Sequence, residues 1–481
     1  MRLTHAKMYD RLLASDASWN GRFFTGVLTT GIYCLPGCKA RKPKSENVRF
    51  FPTCEAARAA GLRACRKCHP DDFARGADPV LETIESLVEE VRADPARFAD
   101  ARALVRRSGF GTTRLFELFR QHYHSTPAEV LLRARLETAK QRLAAGSEPL
   151  VDIAGAAGFE SLSVFHEHFR ARNGLTPAAY RALGAGEPFT LSLPAGYPVA
   201  YLQRALGRDP QSVNERWDGK RYRAAVELAG EPALLSLELS PTAVQAAVEG
   251  SDNAATAAAK NWAAHAVAIG LLGLDQDAHG FARLATRLGF ARLVAGRRQL
   301  RISQTLSVFD GLLWSIIGQQ INLAFACVLK RRLIEKTGTP LGDGFYCVPT
   351  PAAVAALQPA DLQPLQYSAA KAAYLIGAAR LVASRQLDLA ALPRMSATRA
   401  ECTLLAVHGL GPWSVNYVMM RALGFPDCVP LGDTGVSSGL QSLFQLEDRP
   451  DIDATRRLMA VFSPYRSLAT AHLWQFNRPA P

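Results

Sequence analysis

Spaced by their apolar positions, the 481 residues fall into segments of different period. Between residues 79 and 186 apolar residues recur at three and four, the repeat of an amphipathic helix. Two stretches there share one layout, ADARALVRRSGFGTTRLFELFRQHYHSTPAEVL and PLVDIAGAAGFESLSVFHEHFRARNGLTPAAYR. Each predicts a short helix, a Gly-Phe turn (Gly109-Phe110, Gly158-Phe159), a second helix and a T-P-A turn into the next. Phe116, Phe119, Phe165 and Phe169 are expected to face the core. Near Glu187-Pro188 the period drops to two. PFTLSLP, RYRAAVELA and ALLSLELS predict strands, with a helix-rich stretch from about Pro241. From residue 301 the period is helical again. FDGLLWSIIGQQINLAFACVLKRRLIEKTG predicts two apolar helices around Gly318-Gln319-Gln320, followed by a helical stretch from about Pro351 to Ala391. Residues 404–435 then predict a helix, a tight turn at Gly409 and Gly411, a second helix, and a loop carrying Asp433. Such a hairpin offers backbone N–H groups at the second helix's start, a seat for a phosphate.

These segments predict four domains, residues 1–78, 79–186, 187–300 and 301–481. The expected class is multidomain and mainly α with α+β parts. It comprises a small α/β domain, a paired helix-turn-helix domain, an α+β domain and an all-α domain. No run of about 18 uncharged apolar residues argues for a membrane span. MRLTHAKMYD has no apolar signal region, so a cytoplasmic protein is expected. The net charge of +13 suits a polyanionic partner. That charge is concentrated locally: between Cys34 and Cys68 lie nine Lys or Arg and two Glu.

Nine cysteines without a secretion signal argue against a disulfide framework. Cys54, Cys327, Cys347, Cys402 and Cys428 are scattered singly and read as small core residues. Cys34, Cys38, Cys65 and Cys68 form C-x3-C, 26 intervening residues, and C-x2-C. Two thiolate pairs on short turns are what one tetrahedral Zn2+ requires.

The wording around them, TTGIYCLPGCKARKPKSENVRFF…AAGLRACRKCHP, resembles the methyl-acceptor domain of Ada-type DNA repair proteins over residues 6 to 75. The resemblance implies that Cys34 accepts a methyl group from a DNA methylphosphotriester. Lys39, Arg41, Lys42 and Lys44 would line the phosphate track, with Arg41 the closest. The repeated helix-turn-helix resembles the DNA-binding domain of AraC-type regulators, whose second helices enter the major groove. Candidate DNA contacts are Thr112, Thr113 and Arg114 in the first copy, and Glu160, Ser161, Ser163 and His166 in the second.

Three features in order, SIIGQQIN, HGLGPWSVNYVMMRALGFPD…PLGDTG and FSPYRSLATAHLW, resemble the helix-hairpin-helix glycosylases of the 3-methyladenine DNA glycosylase II (AlkA) type. The preceding α+β stretch matches that family's N-terminal domain by its order. Asp433 corresponds to the family's catalytic aspartate, which stabilises the oxocarbenium-like sugar. Trp413 stands where relatives that cut the strand carry a lysine, and no lysine follows Lys371. A monofunctional, water-using enzyme is implied. Trp413, Tyr417 and Tyr465 would form the base pocket, stacking on an electron-poor extruded base. Gln320 and Ile321 lie where the family inserts a wedge. The resemblance also implies a monovalent cation held by the carbonyls of Leu405, Val407 and Leu410.

No P-C-H-R motif occurs, so removal of methyl groups from guanine O6 is expected to be absent. The implied partners are double-stranded alkylated DNA, promoter DNA and RNA polymerase, met by a monomer on the bacterial nucleoid. The leading expectation is a damage-sensing regulator fused to a glycosylase. The competing ones are a regulator whose glycosylase half only aids DNA binding, and a repair enzyme whose helix-turn-helix pair only anchors it.

Overall fold

A computed structural model describes residues 4–76, 78–249 and 254–477. They divide into two compact units, Met1–Glu89 and Glu90–Pro481. The division falls inside the helix Pro79–Ala93, beyond the boundary expected at residue 78. Among the described residues no helix is long and apolar enough to cross a membrane.

The first unit is built on a four-stranded sheet. Phe24–Val27 lies between Val48–Phe51 and Ile32–Cys34, antiparallel to both, and Ile32–Cys34 runs parallel to Arg63–Ala64. Tyr33 pairs with Ala64, and the Cys65 N–H donates to the Tyr33 carbonyl at 3.0 Å. This register sets Cys34 and Cys65 side by side. A core of Phe24, Tyr33, Phe51 and Ala57 holds the strands.

In the second unit both helix-turn-helix copies form. The first is Ala101–Ser108 and Thr112–Tyr123, the second Leu150–Ala156 and Leu162–Asn173. Phe119, Phe165 and Phe169 are buried as expected. Phe116 is corrected to half-buried, because Leu115 and Leu118 take the inner face with Phe119. Thr126 and Thr176 cap the following helices by accepting the N–H of Glu129 and Ala179.

The α+β segment is an antiparallel five-stranded sheet. Its strands are Phe189–Ser192, Glu215–Asp218, Arg221–Leu228, Glu231–Leu239 and Ala243–Glu249. The last corrects the expectation of helix from Pro241. AVQAAVE has helix-prone alanines, yet it pairs with strands on both sides and buries Val244 and Ala246. The sheet shares one core with the second helix-turn-helix copy, where Phe165, Phe169 and Tyr180 join Leu191, Tyr222 and Leu235. His265, on the helix Ala254–Leu272, bonds the Asn173 carbonyl at 2.8 Å.

The boundary expected at residue 300 is corrected too. Helices Ala278–Arg287 and Ala291–Val294 pack into the helical core through Phe281, Ala285, Leu293 and Val294. The C-terminal segment is not purely α: Pro340–Gly342 and Phe345–Tyr346 form a hairpin over Gly342, Asp343 and Gly344, all at positive φ. Phe345 packs beneath the guanidiniums of Arg216 and Arg223. The helical stretch expected over 351–391 is three helices, Pro351–Ala355, Pro359–Leu362 and Ala369–Ala383. The first helix-turn-helix copy packs on this half. Thr112–Tyr123 lies against Ala397–Leu405, and His122 Nδ1 is 2.9 Å from Thr398 Oγ1.

Candidate functional site

The four cysteines of the first unit converge, all sulfurs within 4.8 Å of one another. Tetrahedral zinc with Zn–S bonds of about 2.3 Å needs sulfurs about 3.8 Å apart, so cluster and donor set fit the ion. Two sulfurs accept backbone N–H groups, Cys68 from Leu35 at 3.3 Å and Cys65 from Lys67 at 3.4 Å. Such bonds orient ligands from outside the cluster. Cys34 closes the strand Ile32–Cys34 and lines a concave surface with Arg41, Lys42, Arg63, Arg66 and Lys67. Lys42 Nζ is tied to the Cys38 carbonyl at 2.6 Å, whereas Arg41 is exposed. Arg63, Arg66 and Lys67 were not among the candidates, although their place beside Cys65 and Cys68 was a signal.

In the second helix-turn-helix copy Ser161 is the N-cap, its Oγ accepting the Val164 N–H at 3.5 Å. Ser163 and Glu160 are exposed beside it and His166 is half-buried. Leu162 (41% exposed) and Val164 (44%) share this surface and were missed. In the first copy Thr112, Thr113 and Arg114 are exposed, with Arg114 paired to Glu117 at 3.3 Å.

The hairpin is helix Ala397–Leu405, a turn through Gly409, and helix Pro412–Arg421. Gly409 has φ +91, and a Cβ there would lie 2.3 Å from the Tyr374 ring, so the turn requires glycine. Gly411 is an N-cap without a side chain and Pro412 follows, leaving the first turn open for an anion. The Val407 carbonyl accepts the Leu410 N–H at 3.1 Å within the turn. Gln319 Nε2 ties the preceding loop to the hairpin, donating to the Gly409 carbonyl at 2.8 Å and Ser414 Oγ at 3.0 Å. Gln320 projects from that loop, exposed and at φ +56. Ile321 is half-buried and Leu323 is 47% exposed one residue beyond Asn322.

Asp433 caps the helix Thr434–Phe444: Oδ1 accepts the Val436 N–H at 2.9 Å. Two indoles also converge on it. Trp474 Nε1 donates to Oδ1 at 2.9 Å and Trp413 Nε1 to Oδ2 at 3.2 Å. Each carboxylate oxygen has two lone pairs, so Oδ2 keeps one for another donor. Trp413 stacks on Tyr417 at 5.4 Å and 24°, and Tyr417 meets Trp474 at 6.5 Å. Gly435 makes room, since a Cβ there would lie 2.7 Å from the Trp474 ring. Trp474 was not a candidate, although it ends the FSPYRSLATAHLW stretch.

Tyr465 does not join this group. Its hydroxyl donates to the Asp277 carboxylate at 2.8 Å and its ring meets Phe281 at 6.4 Å. It lines a different cavity, with Arg120, His124 and Glu129, so its expected place in the base pocket is corrected. The carboxylate of Asp277 holds the phenol there.

Three family models match the chain: the metal binding domain of Ada over residues 7–71, a helix-turn-helix domain over 104–183, and the HhH-GPD superfamily of base excision DNA repair proteins over 313–464. A probable bifunctional transcriptional activator/DNA repair enzyme AlkA of Mycobacterium tuberculosis is 28% identical, over 97% of this chain and 95% of its own. A DNA-3-methyladenine glycosylase of Bacillus subtilis is 34% identical, over 42% of this chain and 68% of its own. The fold resembles a 3-methyladenine DNA-glycosylase from Archaeoglobus fulgidus (TM-score 0.53, 18% identity, 60% of this chain and 98% of that one). The chain therefore belongs to the DNA-3-methyladenine glycosylase family, and carries that glycosylase fused to an Ada-type metal-binding domain and a helix-turn-helix domain.

Proposed function

We propose that this protein senses DNA methylphosphotriesters as a transcriptional activator and excises alkylated purines of the 3-methyladenine type as a monofunctional glycosylase. One observation carries the enzymatic reading: the Asp433 carboxylate is fixed by two indoles beside the Trp413–Tyr417 stack. When the C1′–N bond of an extruded nucleotide breaks, its electron pair leaves with the base and positive charge develops on the sugar. A carboxylate already oriented there stabilises that charge without reorganising. Water adds to C1′, and the free lone pair on Asp433 Oδ2 takes its proton. The stacked rings hold the electron-poor base. Gln320 and Ile321 fill the vacated stack, and the Gly409–Gly411 turn seats a phosphate.

In the first unit Cys34, Cys38, Cys65 and Cys68 would hold zinc, which would keep their sulfurs as thiolates at neutral pH. The Cys34 sulfur attacks the methyl carbon of the phosphotriester. A C–S bond forms and the C–O bond breaks, its pair staying on the phosphodiester. Arg41 and Lys42 hold the DNA phosphates. Losing one thiolate charge weakens repulsion from DNA and strengthens promoter binding, where Ser161 and Ser163 face the duplex. On this reading the activator contacts RNA polymerase and works as a monomer on the nucleoid in the cytoplasm. The carbonyls of Leu405, Val407 and Leu410 hold a monovalent cation.

Chromatography of bases released from methylated DNA tests the enzyme. Wild type releases 3-methyladenine and Asp433→Asn does not; equal release by both sinks the reading. Exposure to methylphosphotriester DNA raises promoter affinity, and a Cys34→Ala protein showing the same rise rules out the switch.

A further inference from the structure

The helix Thr112–Tyr123 of the first helix-turn-helix copy ends on His124, whose φ is +52. That left-handed position after a helix suits glycine, which has no Cβ to collide. The second copy does carry glycine there. Gly174 precedes Thr176 by two residues, as His124 precedes Thr126, and has φ +64. A side chain kept where glycine would fit better points to a contact that the side chain makes.

His124 makes that contact with the glycosylase domain. Its ring meets the Phe425 ring edge-on, at 5.8 Å and 79°. Its Nδ1 lies 4.0 Å from Cys428 Sγ. Phe425 and Cys428 belong to the loop that leaves helix Pro412–Arg421, the helix of Trp413 and Tyr417, and runs on to Asp433. The same few residues are tied to both helices that carry the indoles. Ser467, in the first turn of Arg466–Phe476, accepts the Cys428 N–H at 2.9 Å and donates its hydroxyl to the Phe425 carbonyl at 2.7 Å. Asp427, 5% exposed, accepts from Arg466 Nε at 2.8 Å and Nη2 at 2.9 Å. Val429 donates its N–H to Asn416 Oδ1 at 3.2 Å, on the helix of Trp413. The His124 ring therefore bears on the stretch that fastens the approach to Asp433.

We propose that His124 is a positioning residue for Asp433, lent to the glycosylase by the helix-turn-helix module, so that base release depends on the docking of helix Thr112–Tyr123. The inference rests on the glycosylase reading above and adds regulation to it. A DNA contact that shifts the end of that helix shifts the loop before Asp433 as well.

The test uses the full chain, with single-turnover release of 3-methyladenine measured over a range of enzyme concentrations. His124→Gly relaxes the backbone and removes the ring. His124→Asn, which also tolerates a left-handed position, serves if the glycine variant does not fold. In both, the saturating rate per folded molecule falls about 10-fold, the cost of a misplacement of under about 1 Å. The half-saturating concentration stays level, because the Gly409–Gly411 turn is untouched. A purely structural ring would instead lower the folded fraction, read by circular dichroism, and leave the rate per folded molecule level. Phe425→Leu slows release by the same route, and adding it to His124→Gly costs no more than the slower single variant. A wild-type saturating rate in both His124 variants, or losses that multiply in the double variant, overturns the coupling and leaves the glycosylase reading intact. A wild type that releases no 3-methyladenine overturns that reading and the coupling with it.

Discussion

Trp474 donates its indole N–H to Asp433 at 2.9 Å, across 41 residues of chain. Trp413 holds the other oxygen at 3.2 Å, so rotation of the carboxylate would break a bond on either side. The helix that Asp433 caps and the helix Arg466–Phe476 that carries Trp474 are packed together. The orientation of the Asp433 carboxylate thus depends on the core between them.

Trp474→Phe keeps the ring and removes the donor. Single-turnover release of 3-methyladenine falls about 10-fold, whereas Asp433→Asn loses about 10²–10³-fold. Release by Trp474→Phe at the wild-type rate would show that the bond does not orient the carboxylate.

The two turn glycines respond differently to alanine. Gly409→Ala places a Cβ against the Tyr374 ring at a φ of +91 and destabilises by more than about 2 kcal/mol. Gly411 has φ −99 and open space around it, so Gly411→Ala costs less than about 1 kcal/mol. Urea unfolding of both variants measures the difference.

Burial lowers the pKa of His124, His265 and His472 to about 4, against 6.5. The folded protein keeps them neutral while the unfolded chain takes up protons below about 6.5. Their stabilisation is complete above that pH and is lost as pH falls toward 4, up to about 3 kcal/mol each. For His124 the Asp427 carboxylate opposes the shift and Arg466 reinforces it. Thermal melts at pH 7 and pH 5 check this; a melting temperature that does not fall refutes it.

Val164 and Leu162 expose apolar surface at the start of helix Leu162–Asn173, and if that helix enters the major groove they are expected to meet thymine methyl groups. Val164→Ser weakens binding to the promoter site by about 1–2 kcal/mol and leaves the salt dependence unchanged. Fluorescence anisotropy titrations at several salt concentrations separate the two effects.

Much of this protein was legible in short stretches of chain, because their chemistry is local. Cysteine spacing marked the metal cluster, the repeated Gly-Phe turn marked two helix-turn-helix units, and HGLGPW marked the hairpin. Helical period and turn residues act over a few positions, so they survive without knowledge of the fold. Tertiary packing decided what those rules do not reach. AVQAAVE became a strand because neighbouring strands offered ladder partners. Tyr465 turned to Asp277, while Trp474 reached Asp433. His124 reached Cys428 across 304 residues of chain. Local spacing determined which motifs this chain carries; which side chains meet was decided by the shared core that forces distant segments together.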